Sequence, residues 1–284
     1  MDKYKNFEIE VMLRNSSPIA EFENLSPANF HYILYDTYNE NSPVHFRKNI
    51  ENEVLDKVSL FRIAEDFIRI LDREKSIKLT PLGALPKKVM LELYEKKYIC
   101  DELIERGMIK LWKEQDCIAI MSTKITMEIA GVTKKTNGNL TLTKKGISFF
   151  KPENRQDFFE LFITTFADKF NWGFNDGYPD KPIGQFGWTF TIYLLGKYGM
   201  EYQASKFYAD KYLRALPDFL NEFESTTYST DREEFAHCFR VRTFERFLDW
   251  FGLVEIERNG KKFLDNEVKI RCTDILTKIF NIDI

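Results

Sequence analysis

One pattern occurs twice in the chain and restricts its fold more than any other feature of the sequence. A helix ends at a glycine followed by an apolar residue, two strand-like segments then flank an Asn-Gly pair, and a threonine precedes another helix. The positions are Gly131, Asn137-Gly138 and Thr143 in the first copy and Gly252, Asn259-Gly260 and Thr273 in the second. Asn-Gly accepts the positive φ angles of a type I′ turn, so each copy predicts a β-hairpin.

The order of helix, glycine and hairpin is that of the second half of a winged helix. Helical periodicity over 114–130 and 234–251 supplies the helix before each hairpin. We therefore predict a mainly α (α+β) protein with two winged-helix-like units, each carrying a small β-hairpin wing. A polar break at 151–154 predicts two domains, 1–150 and 152–284, and each ends in one such unit.

The remaining apolar patterns predict further helices and one strand. Apolar residues alternate over 7–13, which is typical of a short strand. Ser26-Pro27 combines an N-cap with a proline at the first helical position and predicts a helix start. The other predicted helices are 51–71 (one or two helices), 87–95, 102–108, 157–170, 188–198, 203–213 and 274–280.

Composition excludes several classes of protein. With 44% hydrophobic residues the chain can bury a large core, and disorder is not expected. The formal net charge is -3, whereas a chain that binds nucleic acid or anionic membrane over its whole surface is usually basic. The sequence shows no signal peptide and no apolar run near the roughly 18 residues of a membrane span. The four cysteines are dispersed, which predicts reduced thiols in a cytoplasmic protein: Cys100, Cys117, Cys238 and Cys272.

Several stretches resemble an uncharacterised bacterial family, the plasmid open-reading-frame-three-like proteins. The similar stretches are 30–36 (FHYILYD), Leu79-Thr80 with Gly83, Leu85, Pro86 and Lys87, and 142–146 (LTKKG). They span roughly residues 25–150, with weaker similarity at 170–172 and in the last helices. The resemblance implies a helical fold with a helix-turn-wing region and implies no catalytic residue.

The first hairpin is the candidate site for nucleic acid. Five lysines and no acidic residue lie between Ile129 and Pro152, a local formal charge of +5. In winged helices the wing follows the phosphate backbone while the preceding helix enters the major groove. The candidate contacts are Ser122, Thr123, Lys124, Thr126, Lys134, Lys135, Lys144 and Lys145. The alternative is a solvated hairpin whose lysines prevent its edge strand from pairing with another chain. This alternative is favoured by the absence of arginine from the segment, since arginine is the residue that most often hydrogen-bonds guanine.

The second copy predicts charge pairing within the molecule. Its arginines Arg240, Arg242 and Arg246 alternate with Glu245 and Asp249, which lie four residues apart on one helix face. The loop 171–180 is rich in oxygen ligands, but its spacing does not fit a calcium-binding loop. We predict instead a structural loop that packs Trp172 and Tyr178 against neighbouring helices.

No catalytic, cofactor or metal motif is visible. The three histidines, His31, His45 and His237, belong to no metal or nucleophile pattern, and no phosphate-binding glycine loop occurs. The predicted function is therefore a non-enzymatic winged-helix interaction module with a protein partner. The alternative is a nucleic-acid-binding or transcription-regulatory protein that binds duplex DNA through the first hairpin. An enzyme would require a pocket that gathers His31 or His237 with carboxylates.

Overall fold

A computed structural model describes residues 2–174, 176–258 and 268–284. It is about 53% helical with small antiparallel sheets, which confirms a mainly α (α+β) fold. The α-helices are α1 (Asp2–Ser16), α2 (Pro27–Tyr35), α3 (Asn52–Leu55), α4 (Ser59–Glu74), α5 (Lys87–Tyr94), α6 (Glu102–Glu105), α7 (Ile118–Ile129), α8 (Lys144–Ser148), α9 (Arg155–Asp168), α10 (Trp188–Tyr198), α11 (Ser205–Ala215), α12 (Asp231–Phe239) and α13 (Asp274–Ile279). α12 continues directly as a π-helix, Arg240–Leu248.

The strands of the described residues form three antiparallel sheets. They are β1 (Val44–Phe46), β2 (Ile77–Lys78), β3 (Thr133–Thr136), β4 (Asn139–Leu142), β5 (Gln203–Ala204), β6 (Val254–Arg258), β7 (Val268–Cys272) and β8 (Phe280–Ile282). β1 pairs with β8, and the two three-stranded sheets have the orders β2-β4-β3 and β5-β7-β6. In each three-stranded sheet a two-residue strand from earlier in the chain joins a hairpin.

The chain divides into two compact units. Unit 1 contains 1–48, 172–249 and 253–284, and unit 2 contains 49–171 and 250–252. The polar break at 151–154 predicts instead one linear boundary near residue 151. Unit 1 is discontinuous because β1, near the start of the chain, pairs with β8 near its end, with Val44 opposite Ile282. Such a long-range pairing leaves no local mark in composition or periodicity.

Unit 2 is built around the amphipathic helix α4. Its apolar residues recur every three or four positions, so that one face enters the core. Phe61 is fully buried, and its ring lies 5.1 Å from that of Phe158 and 5.3 Å from that of Phe159 on α9. Along the chain the unit runs α4, β2, α5, α7, β3 and β4, with the short α6 between α5 and α7.

The first hairpin, β3 and β4, is confirmed. Asn137 and Gly138 have φ angles of 50° and 74°, as a type I′ turn requires, and Thr136 lies opposite Asn139. Before the hairpin, Gly131 ends α7 with φ 69°, and the N–H of Val132 donates to the carbonyl of Met127 at 3.0 Å. This is the hydrogen bond of a Schellman cap.

Unit 1 repeats this order of elements as α10, β5, α11, α12 with its π-helix, β6 and β7. The local hydrogen bonds also repeat. The N–H of Thr273 donates to the carbonyl of Leu253 at 3.0 Å, as that of Thr143 does to Val132 at 3.0 Å. β6 and β7 pair with Ile256 opposite Ile270, which confirms the second hairpin. Its predicted turn, Asn259-Gly260, lies outside the described residues.

Three element predictions are corrected by the structure. Residues 7–13 belong to helix α1 and not to a strand. A single strand would leave its backbone hydrogen-bonding groups unpaired, whereas a helix pairs them internally. The helix predicted over 114–130 begins only at Ile118, after a 3₁₀ turn at Glu114–Asp116. The last helix ends at Ile279, because the chain then enters β8.

A buried carboxylate in unit 1 gives the fold an acid-sensitive contact. Glu23 is 6% exposed, and its carboxylate accepts hydrogen bonds from Lys211 Nζ at 2.8 Å and Tyr198 Oη at 2.6 Å. Burial alone would raise the pKa of Glu23, but these hydrogen bonds and the positive charges of Lys211 and Lys197 lower it below 4.5. The anionic form is therefore the one that stabilises the fold.

The Glu23→Gln variant is expected to lose part of the acid dependence of stability. A carboxyl group whose pKa is lowered by folding stabilises the protein above its unfolded pKa, and this contribution is lost as the pH falls through the folded pKa. Urea unfolding of the wild type should therefore show stability that declines below about pH 4.5. The decline should be shallower in Glu23→Gln and unchanged in Glu21→Gln, which alters an exposed neighbour. Equal slopes in all three proteins would contradict this role of Glu23.

Candidate interaction surfaces

Helix α7 precedes the first hairpin, and its polar residues lie inside unit 2. The helix packs against α4, α5 and α9. Ser122 and Thr123 are each 1% exposed, and Thr126 is fully buried. Thr123 donates its hydroxyl hydrogen to the carbonyl of Ala119 at 2.8 Å, one turn earlier in the same helix. None of these three side chains is available to the edge of a base.

Lys124 is buried as well, and it holds an ion pair. Its Nζ lies 2.7 Å from Glu114 Oε2 and donates to the carbonyl of Gly83 at 2.9 Å. The two charged side chains are 9% and 5% exposed. The prediction that Ser122, Thr123, Lys124 and Thr126 form an exposed groove-reading face is therefore wrong. The cause is that α4, α5 and α9 all pack against α7, so these side chains lie inside unit 2.

The part of α7 that does reach the surface is apolar and acidic. Ile118, Ile125 and Ile129 lie seven and four residues apart, which places them on one helical face. Ile129 is 42% exposed, while Ile118, Ile125 and Glu128 are half-buried. Burial raises the pKa of Glu128 above its usual value. We call Ile118, Ile125, Glu128 and Ile129 the α7 stripe.

The first hairpin has one buried face and one polar face. Ile77, Leu140 and Thr133 are buried on one side of the sheet. On the other side Lys78 and Thr136 flank Asn139, and Lys134 lies opposite Thr141, because paired residues project to the same face. We call Lys78, Lys134, Thr136, Asn139 and Thr141 the open sheet face. Lys78, Lys134 and Thr136 are exposed.

The other predicted lysine contacts point to different places. Lys135 is on the buried side of the edge strand β3. Its Nζ packs directly over Gly83, because a Cβ added to this glycine would lie only 2.7 Å from that nitrogen. Lys145 donates to the carbonyl of Ala130 at 3.3 Å, at the negative end of α7. Lys144 is exposed at the first position of α8. Of the eight predicted contacts, Lys134 alone belongs to the open sheet face.

Arg240 lies 3.4 Å from Glu245 within unit 1, as predicted, whereas Arg242 pairs with Asp176, a partner that the sequence did not predict. Arg242 is 1% exposed and lies 2.5 Å from Asp176 Oδ2, and it donates to the carbonyls of Pro179 and Lys181 at 3.0 and 2.7 Å. Arg258 lies 3.1 Å from Glu245 Oε1. Lys261 and Lys262, which follow Asn259-Gly260 in the sequence, lie outside the described residues.

The loop before α10 is a structural element held by Arg242. Trp172 is 4% exposed, and its ring lies 4.5 Å from that of Phe247. Tyr178 contacts His237 through its hydroxyl. These contacts confirm the predicted packing of both aromatic residues. A calcium site in this loop would use Asp176 as an oxygen ligand, but its carboxylate instead forms an ion pair with the guanidinium group of Arg242.

A cavity in unit 1 gathers residues that the sequence did not connect. It measures about 480 Å³ and is lined by Ser205, Lys206, Tyr228, Ser229, Glu233, Glu234, Ala236, His237 and Arg240. His237 thus shares a cavity with Glu233 and Glu234, whose carboxylates are already hydrogen-bonded to Thr230 and Ser229. No sequence motif could reveal it, because Ser205 and His237 come from separate helices and meet only in the fold.

A second cavity, of about 410 Å³, lies in unit 2, and the charged residues that line it form ion pairs with one another. Arg155 Nε lies 2.8 Å from Glu65 Oε1, and its Nη2 lies 2.7 Å from Asp56 Oδ1. Arg62 Nη1 lies 2.9 Å from Glu65 Oε2. These contacts join the start of α9 to α3 and α4. We assign this cluster a structural role.

Comparisons of the chain with protein-family models, with curated proteins and with solved structures gave no match. The resemblance described above therefore stays a prediction. Within the described residues, no helix is long and apolar enough to cross a membrane. The same part of the chain contains no group of three or more His, Cys, Asp or Glu side chains placed to hold a metal ion.

Proposed function

We propose that the protein is a non-enzymatic interaction protein built from two winged-helix-like units. In both units a helix, a short strand, further helices and a hairpin follow one another, and the first strand pairs with the last strand of the hairpin. This is the element order of winged-helix domains. The fold serves many functions, so the choice among them depends on the exposed residues. A cytoplasmic setting, in which the cysteines stay reduced, is part of the proposal.

The α7 stripe carries the preference for a protein partner. A helix that enters the major groove presents polar and basic side chains to bases and phosphates. α7 presents three isoleucines and Glu128, whereas its only lysine is buried against Glu114. Apolar side chains on a surface helix are typical of protein contacts. A DNA phosphate at this face would lie near the carboxylate of Glu128 and would find no exposed cation on α7, which disfavours DNA binding there.

An aspartate in the α7 stripe should abolish partner binding without unfolding the protein. We expect Ile129→Asp to lose a specific set of co-purifying proteins in a quantitative affinity experiment. The matched control is Ile147→Asp, which alters an isoleucine of α8 that is 55% exposed. The recovered partner is then purified, and its affinity for both variants is measured by calorimetry. Equal binding to Ile129→Asp and Ile147→Asp would overturn the proposed surface.

A second candidate function is binding of duplex nucleic acid along its backbone, favoured by the open sheet face. Lys78 and Lys134 are exposed there beside the side chains of Thr136, Asn139 and Thr141, all of which can contact phosphate oxygens. The segments 75–91 and 129–152, which supply this sheet, contain lysines and no acidic residue. Such a surface would bind without reading sequence.

Fluorescence anisotropy with a labelled duplex tests this second candidate. Counterion release makes the affinity fall steeply with salt, and Lys78→Glu combined with Lys134→Glu should weaken binding by more than about tenfold. Reversal of Lys57 and Lys88, two exposed lysines outside the sheet, is the control for net charge. Binding that is absent at low salt, or equally weak in both double variants, would exclude the open sheet face.

A further inference from the structure

The cavity of about 480 Å³ in unit 1 opens at the start of α11. This helix has 11 residues, and its N-cap residue, Ala204, has no side-chain oxygen to accept from the first N–H groups. By comparison, Ser26 and Thr230 cap α2 and α12 through their hydroxyl oxygens. The uncapped amides and the helix dipole make the start of α11 favourable for an anion.

Ser205 provides an independent indication of a ligand. It is the first residue of α11, is only 7% exposed and lines the cavity. No hydrogen bond joins its hydroxyl group to another residue in the described part of the chain. Its oxygen is not among the fully enclosed polar atoms that lack a partner, so it stays accessible from the cavity. A hydroxyl group on so buried a residue normally has a partner. A ligand oxygen in the cavity would supply one.

The basic side chains of the cavity are placed to complete such a site. Arg240 has a side chain that is 11% exposed, and its Nε lies 3.4 Å from Glu245 Oε1, longer than a strong charge-assisted hydrogen bond. Lys206 is exposed at the second position of α11. Both cations line the same cavity as Ser205.

His237 adds a hydrogen-bond donor. Its Nδ1 contacts the hydroxyl of Tyr178, and burial raises the pKa of Tyr178 to about 12, so this phenol keeps its proton. In the tautomer in which the phenol donates to Nδ1, the proton of the neutral imidazole is on Nε2. In that tautomer Nε2 is the ring donor available to a ligand.

The two glutamates of the cavity already have partners. The Glu233 carboxylate accepts from the backbone N–H of Thr230 at 2.8 Å and from its hydroxyl at 2.9 Å. Glu234 accepts from the hydroxyl of Ser229. Their two charges, together with that of Glu245 beside Arg240, offset those of Lys206 and Arg240, which disfavours a polyanion.

We propose that this cavity binds a small oxyanion group, a carboxylate or a phosphate, between the start of α11, Ser205, Arg240 and His237. This site belongs to unit 1 and is independent of the proposed partner surface on α7. It gives unit 1 a ligand-binding role that does not require catalysis.

Nuclear magnetic resonance titration of the full chain tests the site, with inorganic phosphate and acetate as separate probes. We expect the amide resonances of Ser205 and Lys206 to shift with a Kd on the order of 1 mM for at least one probe. The probe that binds identifies the oxyanion. Sodium chloride at matched ionic strength should leave these resonances in place.

Variants separate a specific site from general attraction of anions. Arg240→Gln should weaken binding by about tenfold, and Ser205→Ala by about fivefold, since each removes a direct donor. Arg214→Gln removes an exposed charge near the opposite end of α11 and should have no effect. Unchanged resonances outside the cavity verify that each variant is folded. The proposal is overturned if neither probe shifts Ser205, if chloride gives the same shifts, or if Arg214→Gln weakens binding as much as Arg240→Gln.

Discussion

Replacing Arg242 by alanine is expected to destabilise unit 1 by about 3–5 kcal/mol, because it leaves Asp176 charged and unpaired in the interior. Both side chains of this pair are fully buried. The carbonyl groups of Pro179 and Lys181 lose their donors in the same variant. Urea unfolding followed by circular dichroism measures the change in free energy.

Two further variants show that burial of the charge is the cause. Arg258→Ala breaks an exposed pair with Glu245 and should change stability by less than about 1 kcal/mol. Arg242→Met combined with Asp176→Leu removes both charges and should recover part of the loss. If Arg242→Ala is no more harmful than Arg258→Ala, the Arg242 pair does not hold the loop.

The second large effect is expected for Lys124→Met. Lys124 and Glu114 form a buried pair, so the methionine variant leaves a carboxylate in the interior and should lose about 3–5 kcal/mol of stability. Methionine preserves most of the side-chain volume, which limits the effect to the charge. Unfolding in urea is again the measurement.

This variant also separates a structural role of Lys124 from binding of nucleic acid. Adding Glu114→Gln should restore much of the stability, and Lys97→Met, which removes an exposed partner of Glu105, should cost less than about 1 kcal/mol. A stable Lys124→Met protein with weakened affinity for DNA would reverse our assignment of Lys124 to the interior.

Local features of the fold were predictable because short segments determine them. Asn137-Gly138 specifies its turn through the φ angles that these two residues accept, and Gly131 ends α7 in the same way. The residues 7–13 show the limit of such reasoning. Their alternation is strand-like, yet no partner strand exists for them among the described elements, and Phe7 is 65% exposed on a helix.

The candidate surfaces were harder to predict because they depend on contacts between distant segments. Ser122 and Thr126 are polar, which predicts exposed positions, but α4, α5 and α9 pack on α7 and both side chains are buried. Lys134 was correctly expected on an exposed hairpin, whereas its partner on the open sheet face, Lys78, comes from a two-residue strand that leaves almost no periodic signal. Ser205 and His237 meet only in the folded unit 1.

The pairing of β1 with β8 has a consequence for the order in which the protein folds during synthesis. His45 and Asn281 are hydrogen-bonded although they lie 236 positions apart, so this sheet cannot form until the ribosome has made the residues of β8. Residues 49–171, which supply nearly all of unit 2, emerge much earlier and make their contacts over shorter loops. β1 must therefore stay unpaired until β8 has been made, and this late pairing completes unit 1.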